Sequence, residues 1–219
     1  MENKEMTMQE FRELVEVRKA GERHYASADG GRRTVYDLIP TDYCDEKGNF
    51  AEIDNTLVPV EADKSDKEDY AGYENKANEF KVRLAGNLSS GKLMRIRKGD
   101  SELCWKPYKK LMTASGRAAS RTAQVSGDEG GNGGTVTYRN GMNGADLRYT
   151  VREGMVKEEI VIRKRAEHYA FEFLMTAKNL TLTLDEDKKT LHAVQNGIEA
   201  FGFPAPFMTD AAGQLNTDV

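Results

Sequence analysis

Thr135 to Arg163 reads TVTYRNGMNGADLRYTVREGMVKEEIVIR, and this stretch decides the fold class. Leu147, Tyr149 and Val151 alternate with Arg148, Thr150 and Arg152, so one face is apolar and the other wet. Val156, Glu158, Ile160 and Ile162 then share one face of a following strand, with Met155, Lys157, Glu159 and Val161 on the other. Thr135 to Tyr138 supplies a strand before them. Asn140-Gly141, Asn143-Gly144 and Glu153-Gly154 carry residues that tolerate the backbone of tight reversals. The stretch is an antiparallel meander without a catalytic signature.

Outward from the meander, the pattern stays β. Asp29-Gly30-Gly31 separates Arg23–Ala26 from Arg33–Ile39, and Asp45 to Asn49 turns the chain into Phe50–Ile53 and Thr56–Val60. Phe80, Val82 and Leu84 share a face, and Lys92–Arg97 pairs with Ser101–Lys106 across Lys98-Gly99-Asp100. After the meander come Tyr169–Thr176, Leu180–Leu184, Thr190–Val194 and Ile198–Phe203, until Pro204-Ala205-Pro206 stops the pairing. One helix is expected, Thr7 to Arg18, from the spacing of Phe11, Leu14, Val15 and Arg18 and a Thr7/Glu10 capping pattern. The expected architecture is mainly β: antiparallel sandwich-like halves, or one extended sandwich, with an N-terminal helix. In residue numbers this is helix 1–20, first half 21–107, a Ser/Ala/Gly-rich loop or linker 108–134 with a short strand near Ala123–Val125, second half 135–211, and a polar tail 212–219.

The composition narrows the partners. The chain has 219 residues, and 32 Lys and Arg against 36 Asp and Glu give a net charge of −4, which lacks the basic excess of a general nucleic-acid or acidic-membrane binder. Mean hydropathy is −0.68 and no run reaches transmembrane length, so no membrane insertion is expected. Cys44 and Cys104 can form at most one disulfide or remain two free thiols. The opening MENKEMTMQE is not a signal peptide. The protein is then either cytoplasmic or exported by a signal lying upstream of this stretch.

Each chemical motif meets a plainer reading. Gly86 to Lys92 fits GxxxxGK, but Leu93 follows where a P-loop needs Ser or Thr, and LMRIRKGD alternates as a strand. His24, His168 and His192 share no ligand spacing, and no metal or cofactor is expected. Glu158 and Glu159 point to opposite faces and cannot serve one centre, and Asp185 and Asp187 sit in a turn. Trp105, Tyr108, Phe201 and Phe207 are the candidates for a sugar-stacking platform, although strand aromatics more often fill cores. Asp146, Tyr149, Lys157 and Glu158 form a polar cluster read as a buried ion pair that fixes strand register.

Four strings, in order, carry a family resemblance. They are Tyr43 to Leu57 with its GNF and IDNTL segments, Asn75 to Val82 (NKANEFKV), Tyr138 to Ile162, and Phe203 to Ala211 (FPAPFMTDA). Together they resemble the N-terminal region of bacterial wall-associated proteins that carry DNRLRE modules and RHS/YD repeats, of the wall-associated protein A type. The resemblance implies an exported, multidomain surface protein, of which this is a non-catalytic structural or adhesive module, outside the cell or in the wall. Its implied partners are wall polysaccharide or other modules of the same protein. It supplies no catalytic residues for this region. Two alternatives stay open: a carbohydrate-binding module, and, on fold analogy alone, a sugar-active enzyme domain.

Overall fold

A computed structural model describes residues 11–19, 21–39, 41–45, 47–108, 122–127, 133–142, 144–165 and 169–217. The protein is mainly β, built from antiparallel sheets. β1 (Phe11–Glu13), β2 (Glu22–Ser27) and β3 (Arg32–Tyr36) form a three-stranded sheet, and β4 (Asp42–Cys44) pairs with β5 (Phe50–Glu52). The large sheet is a meander of β6 (Asp54–Val60), β7 (Gly72–Ala77), β8 (Lys81–Ala85), β9 (Met94–Lys98) and β10 (Ser101–Pro107). A second meander holds β11 (Gln124–Gly127), β12 (Gly134–Met142), β13 (Ala145–Arg152) and β14 (Met155–Val161). The chain then returns to the large sheet as β15 (Phe173–Lys178), which pairs antiparallel with β10. The hydrogen bonding therefore crosses the 108–134 stretch expected to divide two halves. β16 (Thr181–Leu184), β17 (Leu191–Gln195) and β18 (Ile198–Phe203) make a further sheet, and β19 (Met208–Thr209) pairs with β20 (Leu215–Asn216).

Alternation explains how the six- and four-stranded sheets meet. Val82, Leu84, Met94, Ile96, Leu103 and Trp105 project from one face of the first, and Val136, Tyr138, Leu147, Tyr149 and Val151 from one face of the second, into a single buried cluster. Fully burying an aliphatic side chain of this kind is worth about 1.5–3 kcal/mol, so this interface contributes strongly to the stability of the fold. The sandwich closes tightly where β12 crosses β6: a Cβ on Gly134 would lie 2.6 Å from Leu57 Cγ. At the other side, Phe201 and Phe203 of β18 pack against the same cluster, with Phe203 edge-on to Trp105 at 5.9 Å between ring centres.

Residues 11–18 do not form the expected helix. Phe11–Glu13 pairs with Tyr25–Ser27, and only Val15–Val17 makes a 3-10 turn. The open edge of β2 and the ion pairs of Arg18 with Glu13 and with the buried Asp42 of β4 hold the segment extended, overriding its helical spacing. Thr7 and Glu10 lie outside the described residues. Asn140-Gly141 is also not a turn: β12 continues to Met142 with a register shift after Tyr138.

Candidate functional site

β10 and β14 bring Trp105 and Glu158 together at the side of the sandwich. Trp105 faces inward from β10 and is buried, and its Nε1 donates to Glu158 Oε2 at 3.3 Å. Glu158 belongs to the inward-facing row of β14, between Val156 and Ile160, which pack against the core. Neighbouring atoms crowd its carboxylate, yet β14 is an edge strand and part of the side chain stays open to water. The crowding raises the Glu158 carboxyl above its ordinary range, opposed by hydrogen bonding from Tyr149 and Trp105. Tyr149 lies on β13 opposite Glu158 and is wholly buried. Among the described residues its hydroxyl has no hydrogen bond of normal geometry, so its interaction with the Glu158 carboxylate is loose. Burial pushes the Tyr149 phenol well above its usual value.

The other two members of the expected polar cluster lie elsewhere. Lys157 points to the opposite face of β14, where Nζ meets Glu159 Oε1 at 2.9 Å, so the contact of Glu158 is with an indole rather than with Lys157. Asp146 is buried and accepts from the Asn140 amide and Arg163 Nε, both at 2.9 Å, with Arg163 Nη2 also on it. Burial works against its charge, but Arg163 and the Asn140 amide outweigh that, and its carboxyl is lowered. Asp146 thus pins the irregular end of β12 to the segment after β14.

The four candidate stacking aromatics do not form a row. Trp105 is core and Phe201 is half-buried against it, while Tyr108 and Phe207 are exposed. A shallow cavity of about 510 Å³ opens instead where three turns meet, lined by Asp100, Asn179, Leu180, Thr181, Val194, Gln195 and Asn196. Its polar groups hold one another: Gln195 Nε2 donates to Asp100 Oδ1 at 2.6 Å, and Asn179 Nδ2 to the Asp100 carbonyl at 2.9 Å.

Two clusters have no warning in the hydrophobic pattern. The side chains of Asn55, Asn75 and Asn78 meet inside the sandwich, where Asn75 and Asn78 both donate to Asn55 Oδ1 at 3.1 and 3.0 Å. Asn75 also donates to the Phe80 carbonyl and accepts from the Val82 amide. On the outer face of the large sheet, Asp69 accepts from Arg83 at 2.7 Å and from Arg95, which also lies over the Tyr70 ring. Burial opposes the Asp69 charge, yet the Asp63 amide and the two guanidiniums win and hold its carboxyl at about 2. Cys104, on that face, is pushed up to about 12 by burial and Glu102.

His192 of β17 lies between two carboxylates, Glu199 at Nδ1 and Asp185 Oδ1 at Nε2, 3.1 Å away. His24 rests on Glu22 and Thr34, and His168 lies outside the described residues. Among the described residues no group of three or more His, Cys, Asp or Glu is placed to hold a metal, and both cysteines are free. No helix among them is long and apolar enough to cross a membrane. The Gly86–Lys92 loop leads through a 3-10 turn into β9, a strand. Comparison with protein-family models, with curated proteins and with solved structures gives no match.

Proposed function

We propose that the chain is a non-catalytic structural or adhesive module of a large, exported, wall-associated protein. One observation carries the reading. Two of the strings that resemble the wall-protein family, Ile53–Leu57 and Asn75–Val82, lie apart in sequence but supply the interlocked amides of Asn55, Asn75 and Asn78. A third, Tyr138–Ile162, supplies the buried face of Tyr138, Leu147, Tyr149 and Val151. The residues of the resemblance are thus used for packing and register, as a structural module requires. Its partners on this reading are wall polysaccharide or neighbouring modules of the same protein.

An antibody raised to this chain, used on fractionated source cells, tests the proposal. A band far larger than 24.5 kDa in the wall or culture supernatant is expected; a band near 24.5 kDa confined to the cytoplasm would overturn it. The amide-lined cavity around Asp100, Asn179 and Gln195 favours a second reading, carbohydrate binding, because planar amides and carboxylates suit vicinal hydroxyls. Retention on a polysaccharide column that is lost in Gln195→Ala would support it.

A further inference from the structure

Among the described residues, β14 is hydrogen-bonded to β13 on one side and ends its sheet on the other. Such an edge is a template for another strand unless something blunts it. Its sequence, MVKEEIV, complements itself when read antiparallel about its central residue, Glu158. In that register Val156 meets Ile160 of a second copy on the inward face, and Met155 meets Val161 on the outward face. Lys157 meets Glu159 of the second copy, twice over by symmetry, and both side chains lie on the outward face already, 2.9 Å apart. One position conflicts: Glu158 faces Glu158.

We propose that β14 is a self-association edge on which two copies pair antiparallel about Glu158, and that the Glu158 carboxylates keep the copies apart until they are protonated. Like charges directly opposite on a strand pair repel, and here they would meet in the crowded mouth of the sandwich. Among the described residues, no cation on the facing strands relieves them. The facing strands present Trp105 and Tyr149, while Glu102, Cys104 and Lys106 on β10 and Arg148 and Arg152 on β13 lie on the opposite faces of their strands. Neutral carboxyls would instead hydrogen-bond across the two-fold axis, leaving the outward ion pairs and the Val–Ile contacts to hold the dimer.

Sedimentation of the whole chain at about pH 7.5 and about pH 5 tests this, with Trp105 fluorescence reporting the fold. The unaltered protein is expected to be monomeric at the higher pH and dimeric at the lower, and Glu158→Gln to dimerise at both, at least about tenfold more tightly than the unaltered chain at the higher pH. Adding Lys157→Glu, which sets carboxylates against carboxylates on the outward face, is expected to return Glu158→Gln to monomer. If Glu158→Gln fails to fold, the single Lys157→Glu variant at the lower pH decides, since Lys157 is exposed. Monomeric Glu158→Gln, or association unmoved by Lys157→Glu, would overturn the pairing. Association of the unaltered chain that does not depend on pH would overturn the gate.

Discussion

The indole Nε1 of Trp105 donates to Oε2 of Glu158, tying the large sheet to the last strand of the small one. Phe203 packs edge-on beside this contact. Trp105, one of the four aromatics read as candidates for a sugar platform, is instead a buried joint between sheets.

Replacing Trp105 therefore tests packing before it tests binding. Trp105→Ala is expected to destabilise the protein by about 3–5 kcal/mol, the usual cost of a cavity of that size, and Trp105→Phe by about 1 kcal/mol for the lost donor. Trp105 is the only tryptophan, so urea unfolding has to be followed by circular dichroism. A Trp105→Ala protein as stable as the unaltered one would mean that the residue is not part of the core.

Asp69 sets an acid limit. Its folded carboxyl titrates at about 2, below an ordinary value of about 3.9, so its contribution is complete above about pH 4 and is lost as pH falls through about 2. Asp69→Asn removes the negative charge and one of the two acceptor oxygens that Arg83 and Arg95 share, while Arg83 keeps Glu74. The three side chains are 5–14% exposed, so the expected loss at neutral pH is about 3 kcal/mol, as for a largely buried pair. Urea midpoints measured down the pH scale should fall less steeply below about pH 4 in Asp69→Asn than in the unaltered protein.

Strand alternation at Leu147, Tyr149 and Val151 and at Val82 and Leu84 was legible because core and solvent faces differ sharply there. β7 was not, because its inward position opposite Leu57 is Asn75, whose burial depends on partners 20 and 5 residues away. The N-terminal helix failed for a related reason: Phe11 to Arg18 has helical spacing, but Arg18 is claimed by Asp42 and Phe11–Glu13 by the edge of β2. The Trp105–Glu158 contact joins residues 53 apart on different sheets. Single-strand periodicity places both on inward faces but cannot show that they touch.

Gly72 and Gly134 separate two kinds of close approach. A Cβ on Gly72 would sit 2.0 Å from the Leu84 carbonyl oxygen, a backbone atom of the paired strand that cannot yield without opening the β7–β8 ladder. A Cβ on Gly134 would meet the side chain of Leu57, which can move. Gly72→Ala is expected to cost more than about 3 kcal/mol or to prevent folding, and Gly134→Ala about 1–2 kcal/mol. Equal urea midpoints for the two variants would contradict this reading.

His192 offers a titration with a definite sign. Glu199 first, and then Asp185, favour its protonated ring, and with both nitrogens facing carboxylates each needs a proton to donate. Its folded value is raised above the ordinary 6.5, so the clasp between β17, β18 and the Asp185 turn is complete below about pH 6.5 and is lost as pH rises through the folded value. Gly202 matters here as well, because a Cβ there would lie 2.8 Å from Glu199 Oε1 and crowd the carboxylate. The imidazole resonances of His192 should titrate above 6.5 in the unaltered protein and move down in Glu199→Gln, with a smaller fall in an Asp185→Asn variant. A titration unmoved by Glu199→Gln would show that the carboxylate does not hold the ring in solution.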